Sequence, residues 1–239
     1  MLSLKPFKKN NQWLICQSEL ESEIENQWFE QEHWLNQGRL LGANSGRGSA
    51  WVIKSEHGKW VLRHYFRGGL YAKISKDKYL WTGIDNCRAI KEFKLLSQLQ
   101  RWKLPAPVAV AARVSKHGLF YRNDLIMEQI KHQETFGQIL SEPQQQLKVW
   151  SKIGHTIAQF HNQGVYHSDL NANNILINED QVYLIDFDKG DIRTKNTRWQ
   201  LNNINRLKRS IEKITQKSCH SELKAYWNSL YTAWESQIK

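Results

Sequence analysis

Short apolar runs broken by glycine fill much of the first third of the chain, and the pattern predicts strands. Residues 39–41 lead into Gly42-Ala-Asn-Ser-Gly-Arg-Gly-Ser49. Residues 50–54 follow, Gly58 marks a turn, and residues 60–66 return to the apolar pattern. Two apolar runs about a glycine turn predict a hairpin. Ile90, Phe93, Leu96 and Leu99 then recur every three residues, the spacing of one face of a helix over 88–100. Leu104-Pro-Ala-Pro107 closes that helix, because proline lacks an N–H and disfavours helical geometry in the residue before it. Residues 108–114 and 119–127 read as two more strands around His117-Gly118.

After Met127-Glu128-Gln129 the period lengthens. Leu147, Trp150, Ile157, Phe160 and His161 keep helical spacing, and Gly164 fits the stop. Residues 174–177 and 182–185 are short β runs about Asn178-Glu-Asp180. Ile204, Leu207, Ile211 and Ile214 form a last helical stripe, with Arg206, Lys208, Arg209 and Lys213 around it. Strands with one helix, then helices with one small hairpin, predict an α+β chain in two unequal lobes. Residues 1–130 form a β-rich lobe with one helix, residues 131–239 a helical lobe, and the join lies near 128–135.

Composition narrows the class. At 40% hydrophobic and 24% charged, the chain is an ordinary globular one, and its apolar runs are too short to span a bilayer. Residues 1–10 carry three lysines without a following apolar core, so no secretory signal is expected. Cys16, Cys87 and Cys219 are odd in number and scattered, which points to a reducing cytoplasm rather than a disulfide framework or a zinc site. Lys and Arg exceed Asp and Glu by 34 to 23, and Trp occurs 11 times. A net charge of +11 calls for an anionic partner: nucleotide phosphates, an anionic membrane surface or nucleic acid. Tryptophan suits bilayer interfaces as well as cores. Trp28, Phe29, Trp34 and Leu35 are read as core packing, with a membrane-contacting helix as the alternative.

The chemistry concentrates in Tyr166-His-Ser-Asp-Leu-Asn-Ala-Asn-Asn174 and Tyr183-Leu-Ile-Asp-Phe-Asp188. Asp169 and Asn174 stand five apart, the spacing of a kinase catalytic loop, and Asp186 follows Asn174 by twelve residues at the end of an apolar run. Phosphoryl transfer needs a group that orients the attacking hydroxyl and relieves it of its proton. It also needs hard oxygen ligands for magnesium. Asp169 is assigned the first role, Asn174 and Asp186 the second. His167 is read as structural, packing beneath the loop, since no further Cys or His completes a metal site.

In the first lobe Gly46-Arg-Gly48 lies where backbone N–H groups of a turn can cover ATP phosphates, although Trp51 stands where a third glycine is expected. Trp60-Val-Leu-Arg63 ends the next strand with an arginine in the phosphate-binding position usually held by lysine. Glu92 is its expected partner. Arg67-Gly68-Gly69 is a further candidate anion loop.

Asp186 stands 53 residues before Lys239 with no Ala-Pro-Glu after it, which leaves little room for a protein-kinase activation segment and favours a small-molecule or lipid-linked acceptor. Gly46-Arg-Gly-Ser49, Val61-Leu-Arg-His-Tyr-Phe-Arg-Gly-Gly69, Leu104-Pro-Ala-Pro107, His167-Ser-Asp-Leu-Asn-Ala-Asn-Asn174 and Leu184-Ile-Asp-Phe-Asp-Lys-Gly190 resemble the 3-deoxy-D-manno-octulosonic acid (Kdo) kinase family of bacterial lipopolysaccharide-core enzymes. The resemblance runs from about residue 40 to the C-terminal helices. It implies a protein-kinase-like two-lobed fold, ATP and Mg²⁺, and transfer of the γ-phosphate to the 4-hydroxyl of Kdo on a lipid A precursor. It further implies that the transfer takes place peripherally at the cytoplasmic face of the inner membrane and that the family's catalytic residue falls on Asp169. A heptose kinase of the same pathway and an atypical protein kinase are the competing enzyme readings. A basic nucleic-acid-binding protein is the non-enzyme reading. Nucleic acid is not an expected partner, because no such motif is present and that role leaves Asp169, Asn174 and Asp186 unexplained.

Overall fold

The computed structural model describes residues 5–43, 50–67, 76–131, 134–140, 147–178, 181–215 and 220–238. Two compact units make up the chain: Met1–Ser97 with Pro107–Ile130, and Gln98–Ala106 with Lys131–Lys239.

The first unit is built on an antiparallel sheet of β1 (Phe7–Lys9), β2 (Gln12–Cys16), β3 (Leu40–Ala43), β4 (Ala50–Ser55), β5 (Gly58–His64), β6 (Tyr79–Leu80), β7 (Ala109–His117) and β8 (Phe120–Glu128). The order is β1-β2-β7-β8-β5-β4-β3, with β6 also paired to β8. The expected hairpin is β4–β5, where Ser55 pairs with Gly58. The second expected pair is β7–β8, which runs from Ala109 and Met127 out to His117 and Phe120 with a register shift between Ala109 and Ala111.

A sheet with one wet face alternates buried and exposed residues, yet Tyr121 and residues 123–127 of β8 are all buried. Both faces are covered. On one side lies helix α2 (Arg88–Arg101), which follows the short helix α1 (Gln31–Asn36) in the chain. Ile90, Phe93, Leu96 and Leu99 of α2 are all buried, as their spacing predicts. The buried Asn123 side chain on β8 accepts from the Ala89 N–H at 2.9 Å, satisfying one of the helix's free N-terminal donors. On the other side Leu20, Ile24, Phe29 and Trp34 join Leu14, Ile53, Trp60, Leu62 and Ile126 in one cluster. Trp28 packs against it as well. Core packing therefore holds for three of the four N-terminal apolar residues. Leu35 is the correction, since it is 58% exposed on the outer side of α1.

The second unit contains β9 (Glu134–Thr135), α3 (Phe136–Ile139), α4 (Leu147–Asn162), β10 (Val165–Tyr166), β11 (Ile175–Asn178), β12 (Gln181–Leu184), β13 (Asp191–Ile192), α5 (Thr197–Ile214) and α6 (His220–Glu235). Strands β12, β11 and β9 form one small sheet, β10 and β13 another. Residues 98–106 belong here because the Leu184 N–H donates to the Pro105 carbonyl at 3.0 Å. Trp150, Ile157, Phe160 and His161 of α4 are buried, whereas Leu147, at its start, is exposed. Gly164 ends the helix with φ +75°, a left-handed conformation that favours glycine.

Helices α4 and α6 meet at Gly154, where a Cβ would lie 2.2 Å from the Leu230 carbonyl oxygen. That neighbour is backbone, so it cannot rotate away. Gly154→Ala is expected to destabilise the protein by about 1–3 kcal/mol, the usual range for overpacking. Thermal unfolding measures this, and an unchanged midpoint would refute the close approach.

Candidate active site

The loop between β10 and β11 is held in part by its own polar side chains and in part by side chains of α5. Asn171 accepts from the N–H groups of Asn173 (2.9 Å) and Asn174 (3.2 Å), capping the 3-10 turn Ala172–Asn174. The Asn171 and Asn174 side-chain amides both donate to the Asp169 carbonyl, at 3.1 and 2.9 Å. The amide nitrogen of Asn174 is thus committed to the loop, and its Oδ1 remains as a hard oxygen donor. Helix α3 starts with a capping box between Thr135 and Gln138. Its Gly137 passes so close to the loop that a Cβ there would lie 2.0 Å from Asn173 Oδ1.

His167 stitches this loop to the segment carrying Asp186. Its Nε2 lies 2.8 Å from the Ile185 carbonyl, and its Nδ1 accepts from the Asp169 N–H at 3.1 Å. A carbonyl only accepts and an N–H only donates, so the ring is the neutral Nε2–H tautomer. Complete burial holds its pKa below the ordinary histidine value, in agreement. The Ile185 N–H donates to the Asn174 carbonyl at 3.0 Å, so Ile185 is pinned at both its polar backbone groups. The next residue, Asp186, has φ +63°, uncommon for a residue with a Cβ and typical of functional turns. Phe187 is buried beside His167 (ring centroids 4.8 Å) and stacked on Phe160 (5.7 Å), so the Asp186 turn is anchored from below.

Asp169, Asn174 and Asp186 therefore sit on one continuous hydrogen-bonded framework, with His167 beneath it. Among the described residues no group of three His, Cys, Asp or Glu side chains gathers as a ready-made metal cage. An Asp and an Asn on this framework suit magnesium, which usually binds through one or two carboxylates and takes much of its shell from phosphates and water.

Sequence reasoning missed two residues of α5. Asn203, buried, donates to the His167 carbonyl at 2.8 Å and accepts from the His167 N–H at 3.2 Å. Arg206 donates to Asp169 Oδ1 from Nε at 3.0 Å and also from Nη2. Partial burial pushes the Asp169 carboxyl up. The hydrogen bonds and charge of Arg206 together pull it down further, leaving it below the ordinary carboxylate range. Asp169 is thus an ionised acceptor of hydrogen bonds.

In the first unit Arg63, on β5, pairs with Glu92 on α2. Glu92 is buried and also accepts from the Tyr65 hydroxyl at 2.7 Å. The Arg63 guanidinium lies 4.5 Å from the centre of the Tyr65 ring, which fixes its plane. Gly46 and Gly48 fall outside the described residues, as do Gly68 and Gly69. Arg67 is described, with its guanidinium 5.2 Å from the centre of the Tyr79 ring.

The family model described as lipopolysaccharide kinase (Kdo/WaaP) matches residues 31–226. The chain belongs to this family. Among its relatives is a protein of Stenotrophomonas maltophilia named 3-deoxy-D-manno-octulosonic acid kinase, 43% identical over 187 residues, or 78% of this chain and 74% of that one. Proteins of the same name from Vibrio cholerae and Haemophilus influenzae are 38% and 32% identical. The former aligns over 82% of this chain and 83% of its own, the latter over 97% and 99%. The Haemophilus match extends the likeness well before residue 40, where the sequence motifs begin. A solved structure titled "WaaP in complex with acyl carrier protein" shares the fold, with a TM-score of 0.55 at 15% identity, covering 92% of this chain and 88% of that one. The Kdo/WaaP family chain is thus an α+β protein of protein-kinase-like fold.

Proposed function

We propose that this Kdo/WaaP-family protein transfers the γ-phosphate of ATP to the 4-hydroxyl of Kdo on a lipid A precursor. The observation that carries this reading is the single framework bearing Asp169, Asn174 and Asp186, in a chain whose full-length relatives are named Kdo kinases. Asp169 accepts the hydrogen bond of the acceptor hydroxyl and takes its proton as the oxygen–phosphorus bond forms. The bond from the γ-phosphorus to the bridging oxygen of ATP breaks, and ADP leaves. Asn174 Oδ1 and the Asp186 carboxylate hold Mg²⁺, which, when bound, offsets the charge of the phosphates. Arg63, fixed by Glu92 and Tyr65, binds nucleotide phosphate through its planar fork, and backbone N–H groups of Gly46 and Gly48 add to that binding. His167 keeps the loop in place and takes no part in proton transfer.

The net charge of +11 supports work at an anionic membrane surface, peripherally and on the cytoplasmic side, where ATP is. No helix among the described residues is long and apolar enough to cross a membrane. The test supplies labelled ATP, Mg²⁺ and a Kdo-bearing lipid A precursor. Label in the glycolipid, absent without Mg²⁺, is expected. Label appearing only with heptose-containing acceptors would overturn the choice of sugar.

A further inference from the structure

The motif His167-Ser-Asp-Leu-Asn-Ala-Asn-Asn174 contains no Lys or Arg, although phosphoryl transfer to a sugar acid brings several negative groups to Asp169. The cation at Asp169 comes instead from α5. Nε and Nη2 of Arg206 both donate to Oδ1, an arrangement that fixes the carboxylate plane and commits one of its two oxygens.

Arg206 is also the first of a series. Arg209 and Lys213 follow at three and seven residues, one and two turns on, so all three share a face of α5 that extends about 10 Å along the helix. All three are exposed. Among the described residues Arg209 and Lys213 form no ion pair. Like charges at these spacings destabilise a helix. Glu212, the only acidic residue of α5, stands three residues after Arg209 and one before Lys213, yet it pairs with neither among the described residues. Lys208, by contrast, is turned to the Trp227 ring of α6 at 5.5 Å and is not part of the series. A row of cations that begins at the reacting carboxylate, and whose outer members Arg209 and Lys213 form no ion pair among the described residues, is complementary to an anionic ligand that must reach that carboxylate.

We infer that α5 is the acceptor-recognition element: Arg206 positions Asp169, and Arg209 and Lys213 bind the acidic groups of the glycolipid acceptor. The inference rests on the proposed function and names the part of the chain that selects its substrate. It makes negative charge near the reacting hydroxyl a requirement for the acceptor.

Steady-state kinetics with detergent-dispersed Kdo-bearing lipid A precursor test it, alongside direct binding of that acceptor to the protein without ATP. R209A/K213A is expected to raise the KM for acceptor about tenfold while kcat and the KM for ATP hold, as loss of charge-assisted contacts to substrate requires. R206A is expected to lower kcat about a hundredfold through misplacement of Asp169, with the KM for ATP unchanged. Guanidinium in the assay restores part of that loss, and R206K lies between the two. Thermal unfolding of each variant separates these effects from misfolding. An unchanged acceptor KM in the double variant, or a wild-type kcat in R206A, would overturn the inference. Should the wild type fail to label this acceptor at all, the proposed function falls, and the binding arm still decides the role of α5. Equal acceptor affinity in wild type and R209A/K213A refutes it.

Discussion

Replacing Asp169 by alanine is expected to cut transfer by about a thousandfold or more while nucleotide binding stays close to wild type. The structure separates these effects because the loop is held through the backbone of residue 169. Its N–H donates to His167 and its carbonyl accepts from Asn171 and Asn174, and none of these contacts uses the carboxylate. Alanine therefore removes the proposed acceptor of the substrate proton and leaves the loop standing. Arg206 loses its partner, but its side chain is half exposed and water replaces the carboxylate at little cost.

Asp186 behaves differently. Asp186→Asn is the informative change, since asparagine tolerates the left-handed backbone at φ +63° that alanine resists. It is expected to weaken Mg²⁺–ATP binding as well as turnover, because in the proposed mechanism the lost charge is a metal ligand. Label transfer and calorimetric ATP binding check both variants. Near-normal turnover in Asp169→Ala, or ATP affinity unaffected in Asp186→Asn, would sink the assignment of roles.

The parts of this site that were legible in the sequence are those whose partners lie close along the chain. Asp169, Asn174 and Asp186 are recognisable by spacing because a short hairpin sets their separation. The contacts of Asn203 and Arg206 with the loop span 36 and 37 residues, so they depend on how α5 lies in the second unit, which local spacing does not reveal. A sequence signal did exist: Asn203 interrupts an apolar face at the step before Leu207 and Ile211, and a buried polar residue there needs a partner. The hairpin of β1 and β2 was not read from the sequence, although a signal for it was there. Asn10 and Asn11 both take positive φ between β1 and β2, the two-residue turn that asparagine favours. The lid from Leu20 to Trp34 was less readable. Its short helical turns carry little periodicity, and it earns its place by covering the outer face of the sheet.

The second unit is expected to lose stability between pH 6.5 and 4 through His161. Its imidazole is buried between α4, α5 and α6 and accepts from the Trp234 indole N–H at 2.9 Å. The rings of Trp199 and Trp234 meet its edges. Burial pulls its pKa down to about 4, with Asn203 opposing through a hydrogen bond and His167 adding to the depression. An unfolded chain takes up a proton at this side chain near pH 6.5. Below that pH the unfolded state binds more protons than the folded one, so stability falls as pH falls, until the folded imidazole itself protonates near 4. A difference of this size is about 3 kcal/mol across the window. His161→Gln keeps an acceptor for Trp234 and removes the titration, so its thermal midpoint should fall less steeply over pH 6.5–4 than that of the wild type. Parallel profiles for the two proteins would show that another group governs the acid limb, His167 being the first to examine, because its pKa is depressed by the same cause.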